Sequence, residues 1–354
     1  MNAPKTVLTA LLVLGLTSAC DDQGAEFDAT SDSDFRSSRL TPINFEACPP
    51  HLCGVNAGVA GAMSFHLDGD DSLDGQILFE VLDDMGLPID IHINGTELYA
   101  INGEGEGLQG HDLEGSRFLI RDMDTNEVTT IYLDEYLPQE AESIRSPGVF
   151  YSAYEFTFHH EDDDPELRTP LCGATPWNDE NTGIDPDTTA AIVVQNEAFD
   201  WWGNSVADLD TDPDYAANWF TIGCSGGAFA KKVLLGYDMS QPSGQGQRPT
   251  HVENVTMMHM LTARYCGGEN HTMTGVDLYW QNDRGEFPVP AGLEVEAVWD
   301  EHGAVCLNTP RFAMREDIET ECGAIPTCAG INPADYHLVS YNLGEAPGAG
   351  ASGV

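Results

Sequence analysis

Basic residues are what this chain has least of. It carries 14 Lys and Arg against 59 Asp and Glu in 354 residues, a formal charge of −45 at pH 7. A surface this acidic repels phosphate backbones and anionic headgroups, which excludes nucleic acid as a partner. Long apolar runs are missing too. The longest, Val7–Leu16, is about ten residues where a membrane-spanning helix needs about 20. No two cysteines stand in C-x-x-C spacing, which removes the common zinc and redox frames.

What stands at the N-terminus sets the compartment. Lys5, the apolar run and the small residues Thr17, Ser18 and Ala19 precede Cys20 in the order of a signal peptide. The stretch "TSAC" is similar to a bacterial lipobox, in which the cysteine becomes the lipidated first residue. We therefore expect a lipoprotein signal peptide at 1–19, lipidation at Cys20 and a flexible acidic tether at 20–46. The protein then sits outside the cytoplasm, held to a bacterial envelope by its lipid. Cysteine arithmetic agrees. The count of 9 is odd, and removing Cys20 leaves Cys48, Cys53, Cys172, Cys224, Cys266, Cys306, Cys322 and Cys328 for pairing. Short spacing favours Cys48–Cys53 and Cys322–Cys328; Cys172–Cys224 and Cys266–Cys306 would close longer loops.

Between the termini the pattern is mostly β. "QILFEVL", "RFLIR", "TTIYL", "AYEFTF", "AAIVV" and "GLEVEAVW" are short β-branched and aromatic runs bounded by turn residues. Helices are expected in "AFAKKVLLGY", stopped by Gly236, and in "HVENVTMMHMLTARY", with Val252, Val255, Met258 and Leu261 or Thr262 on one stripe. A shorter one covers "REDIETEC". The fold class is α+β, strand-rich and disulfide-stapled, with two to three helices in the C-terminal half. A strand-rich region at 47–165 precedes a second domain at 166–335, and 336–354 reads as a disordered tail.

The stretch "LTARYCGGENHTMTGVDLYW" resembles the signature of the ADYC-domain proteins, bacterial secreted proteins named for a tetrapeptide. "PLCG", "GCSGGAFAKKVLLGY" and "VEAVWDEHGAVCLNTPR" extend the likeness over Pro170–Cys328, and "CGVNAG…HLDG" extends it loosely back to Cys48. Ala263, Tyr265 and Cys266 match the tetrapeptide; Arg264 replaces its aspartate. The resemblance implies secretion, lipoprotein signals and disulfides, and it brings no activity.

Two motifs offer chemistry. "GCSGG" at Gly223–Gly227 fits G-x-S-x-G between a strand-like and a helix-like run, as a nucleophile elbow requires. Ser225 would then work with His302 and either Asp277 or Asp300. Against it, nothing upstream alternates strand and helix as a hydrolase sheet does. A Cys266–His271 dyad fails because an oxidising compartment consumes the thiolate. Asp70, Ser72 and Asp74 occupy positions one, three and five of a calcium-type loop, with Gly75 at the turn, but Glu80 falls one residue short of the closing acid. "DLDTDPD" at Asp208–Asp214 repeats oxygen donors with Pro213 in the way. The expected function is an envelope-anchored acidic lipoprotein, a non-enzymatic binding or structural module with a protein or glycan partner and no cofactor except calcium. The alternative is a secreted serine hydrolase using Ser225.

Overall fold

A computed structural model describes residues 60–143, 148–160, 168–172, 190–206, 209, 212–240, 248–272, 278–283, 289 and 291–342. Cys20, the tether, Cys48, Cys53 and Asp277 lie outside them.

The first half is a run of strands: β1 (Ala62–His66), β2 (Gln76–Leu82), β3 (Asp90–Asn94), β4 (Glu97–Ile101) and β5 (Gly107–Gln109). A 3-10 turn at Gly110–Leu113 leads to β6 (Arg117–Asp122), β7 (Val128–Glu142), β8 (Phe150–His160) and the short β9 (Thr169–Pro170). Then come β10 (Ala190–Gln195), α1 (Pro213–Ala217), β11 (Trp219–Cys224), α2 (Ala228–Leu234) and α3 (His251–Thr262). The chain ends in β12 (Tyr279–Asn282), β13 (Glu294–Asp300), β14 (Gly303–Leu307), α4 (Arg315–Cys322) and β15 (Leu338–Asn342).

One antiparallel sheet runs β1-β11-β10-β8-β7-β6-β2, with β9 on β8. Its end strands β1 and β2, joined by a short connection, approach each other and curl the sheet. Inside the curl sits a core of Phe65, Leu78, Phe118, Ile131, Phe156, Phe220 and their neighbours, covered by the separate sheet β3-β4-β5. Tyr154, Phe156 and Phe158 all point there, as the alternation of β8 requires. The run "AAIVV" is continuous because β10 is buried on both faces. Ala191 and Val193 join the inner core, while Ala190, Ile192 and Val194 meet α2 and α3 outside. Those helices are covered in turn by the sheet β12-β15-β13-β14, through Trp280, Ala297, Trp299 and Leu338.

This layering overturns three expectations. The large sheet takes strands from both sides of residue 165, so regions 47–165 and 166–335 share one body. Residues Leu338–Asn342, placed in the tail, form the strand between β12 and β13; Leu338 and Ser340 are fully buried there. Sandwiching α3 between two layers buries nearly all of its last two turns, so it has no single apolar stripe, and Val252 near its start is exposed. α2 and α4 fall where the sequence puts them.

Candidate functional site

The Gly223–Gly227 turn does join a strand to a helix, β11 to α2, but β11 is antiparallel to both its neighbours. A nucleophile elbow lifts its serine into the open. Ser225 is fully buried, and its hydroxyl has no hydrogen-bond partner among the described residues. His302 is far more exposed (84%) in the β13–β14 turn, where its backbone N–H donates to Asp300. Each glycine has a structural task instead. A Cβ on Gly223 would lie 2.2 Å from the Phe229 ring, one on Gly227 would lie 2.5 Å from the Ala60 carbonyl oxygen, and Gly226 has φ 89°. Cys224 bonds Cys172 and pins β11 to the segment after β9, one of the two longer-loop pairings expected.

The tetrapeptide position is likewise a junction. Ala263 ends α3 in the left-handed conformation (φ 50°, ψ 43°). Arg264 turns back to donate to the Trp202 carbonyl at 3.3 Å and to Asn204 Oδ1 at 2.5 Å, strapping the loop after β10. Burial lowers the Arg264 pKa, and the Asp200 and Glu321 carboxylates, which an aspartate there would repel, oppose that shift. Tyr265 is buried, stacks on Trp299 with ring centroids 5.2 Å apart and donates to Glu296 at 2.8 Å. Glu296 is fully buried and paired with Arg311 at 2.8 Å. Cys266 bonds Cys322 on α4, and Cys306 bonds Cys328. This corrects two expected pairings, Cys322–Cys328 and Cys266–Cys306. α4 carries Cys322 back beneath the α3 terminus, while β14 sends Cys306 toward the Cys328 loop. His271 faces Glu321 at 3.0 Å. Three disulfides indicate an oxidising environment, and no helix among the described residues is long and apolar enough to cross a membrane.

Around the expected calcium loop, Ser72 and Asp70 have local partners. Ser72 closes a tight turn: its N–H donates to the Gln76 carbonyl at 2.8 Å, its carbonyl accepts the Gly75 N–H at 3.0 Å, and its Oγ accepts the Gln76 N–H at 3.1 Å. Asp70 leans toward His66 at 3.9 Å. Partial burial raises the Asp74 pKa, and the Asp200 carboxylate adds to that. Among the described residues, three metal-ligating groups gather only at Cys266, Glu321 and Cys322, where the disulfide has consumed both thiols. In "DLDTDPD", Asp208 and Asp210 lie outside the described residues; Asp212 caps α1, accepting the Tyr215 N–H, with Pro213 at its first position.

One opening was not foreseen. A cleft of about 950 Å³ lies between β4, β5, the 3-10 turn and the bend of β7, lined by Asn94, Glu97, Tyr99, Gln109, His111 and Tyr136 among others. Glu97 anchors it. Its carboxylate accepts from Ser152 at 2.5 Å, from Tyr136 at 3.1 Å and from Tyr154 at 3.3 Å. His111 meets Glu114 at 2.7 Å, and that hydrogen bond, ahead of the Tyr136 N–H, holds the Glu114 carboxyl below its usual range. Burial raises the Tyr136 pKa, so its hydroxyl stays protonated and donating. Tyr99 is 37% exposed and lies flat against His92, with ring centroids 5.1 Å apart. The sequence held no local sign of this, because Glu97 in "ELYAI" and Tyr136 in "DEYLPQE" stand 39 positions apart.

A disulfide-bonded, mainly antiparallel protein with helices held between two sheets is the class these features define. Residues 110–313 match the model of the ADYC domain, and the chain belongs to that family. No curated protein and no solved structure matches it.

Proposed function

We propose that this protein is an envelope-anchored lipoprotein whose folded body binds a neutral glycan without catalysis. The observation that carries the reading is the Glu97–Tyr99–Tyr136 cleft. A carboxylate oriented by three hydroxyls, amides at Asn94 and Gln109, and a half-exposed tyrosine face are the groups that recognise sugar hydroxyls and sugar rings. The charge of −45 favours neutral polymers over polyanions. The disulfides support an extracytoplasmic site, and the apolar run before Cys20 supports the lipid anchor. Mass spectrometry of the mature N-terminus is expected to show a lipidated Cys20; an unmodified cysteine would remove the anchor.

The binding reading is tested by co-sedimentation with chitin, amorphous cellulose and mannan, with immobilised heparin as a polyanion control. Retention on at least one neutral polymer is expected, with a roughly three- to tenfold loss for Tyr99→Ala, since a stacked ring contributes about 0.5–1.5 kcal/mol. Retention on heparin alone, or equal retention of the variant, contradicts it.

A further inference from the structure

Three side chains that glycan binding leaves unused meet in the core between α2 and α3. Lys232 on α2 and Glu197, just after β10, are both fully buried, and Lys232 Nζ contacts Glu197 Oε2. The same nitrogen lies 2.6 Å from Asn254 Oδ1 on α3 and 2.7 Å from the Tyr237 carbonyl oxygen. Asn254 Nδ2 donates to the Thr250 carbonyl at 3.0 Å, which turns the amide oxygen toward the lysine. The other Glu197 oxygen accepts the Met239 N–H at 3.0 Å. Phe229 and Phe199 wall the site, with Nζ 4.7 Å and 5.6 Å from their ring centroids. Burial lowers the Lys232 pKa and raises that of Glu197, which moves the shared proton from amine toward carboxyl. A neutral amine held against an amide in a dry pocket is an oriented nucleophile.

We propose that Lys232 and Asn254 condense into an isopeptide bond that ties α2 to α3, with Glu197 as the proton carrier. Glu197 takes one proton from the lysine ammonium, and Nζ attacks Asn254 Cγ. The amine passes its second proton through the carboxyl group to Nδ2. The Nζ–Cγ bond forms, the Cγ–Nδ2 bond breaks, and one ammonia leaves. No oxidant or co-reactant enters. Glu197 ends protonated, as a buried carboxyl that has lost its cation must.

Peptide mapping of the full chain decides it. A glutamate-specific protease cuts after Glu253, between the two residues, once the disulfides are reduced and alkylated. The expected product is a branched peptide joining the Lys232 and Asn254 segments, lighter than their sum by one ammonia. Succinimide formation at Asn94–Gly95 also releases ammonia but makes no branch. Two unbranched peptides overturn the proposal and leave a buried ion pair whose ammonium is satisfied by three acceptors. Glu197→Gln, checked for a wild-type circular dichroism spectrum, is expected to lower the branched fraction at least about tenfold. A folded Glu197→Gln protein that links as completely as wild type overturns the role of the carboxyl.

Discussion

His259 lies in the last turn of α3 with its ring buried. Burial first, then the Arg264 cation, lowers its pKa to about 4. In the unfolded chain the ring titrates near 6.5, so below that pH the unfolded state takes up a proton that the folded state refuses. Stability is therefore complete above about pH 6.5, falls as the pH drops toward 4, and loses no more to this residue below that; the loss is roughly 3 kcal/mol. Urea midpoints at pH 7 and pH 4.5 measure it. His259→Gln is expected to remove most of the difference that this residue makes, and equal pH responses in both proteins would clear it. Single residues were the least legible scale. Glu97, Glu197 and Glu296 read as ordinary members of an acidic chain, because a lone glutamate in "NGTELY" or "LEVEAVW" does not show that Ser152, Lys232 or Arg311 comes to meet it.

Elements were far more legible. β2, β6, β8, β10 and β13 fall on the runs that alternate or stay apolar, because a pleated strand imposes a period of two on whatever it buries. α3 was expected from an apolar stripe that burial on two sides erases; the Thr250–Glu253 capping box that starts it went unread. β15 was lost because five residues next to a Gly-rich tail carry too little signal. Two expected disulfides, Cys322–Cys328 and Cys266–Cys306, failed for a related reason: spacing measures the chain, whereas pairing follows where α4 and β14 bring their cysteines. Cys266–Cys322 closes a loop of 56 residues, which in the chain-entropy picture is worth about 4 kcal/mol. The double variant Cys266→Ser, Cys322→Ser is expected to unfold at lower denaturant by that order. An unchanged midpoint would mean that the α3–α4 junction holds without its covalent link.

At the scale of the whole molecule the dominant fact is the charge of −45, which sets the folded body repelling itself. Screening relieves that repulsion, so salt is expected to raise the Tm. With Ser72 Oγ already accepting the Gln76 N–H, calcium and sodium chloride at equal ionic strength are expected to act alike. A calcium excess that disappears in the Asp70→Ala, Asp74→Ala variant would assign the loop a bound ion. The α+β class and the oxidised cysteines were readable at this scale, because composition and pattern are summed over many residues. The cleft was not, since it joins β4 to β7 across 39 positions through Glu97 and Tyr136.

Glycan binding at that cleft is the central claim, and hydrogen–deuterium exchange tests it most directly. The full chain is labelled with and without a saturating chito-oligosaccharide, or an oligosaccharide of whichever neutral polymer retains it. The account predicts slowed exchange at residues 97–101 and 107–112, with the Gly223–Gly227 turn and the Ala263–Cys266 junction unchanged. Protection centred on either of those two segments, or none in the cleft while the saccharide is bound, would contradict it.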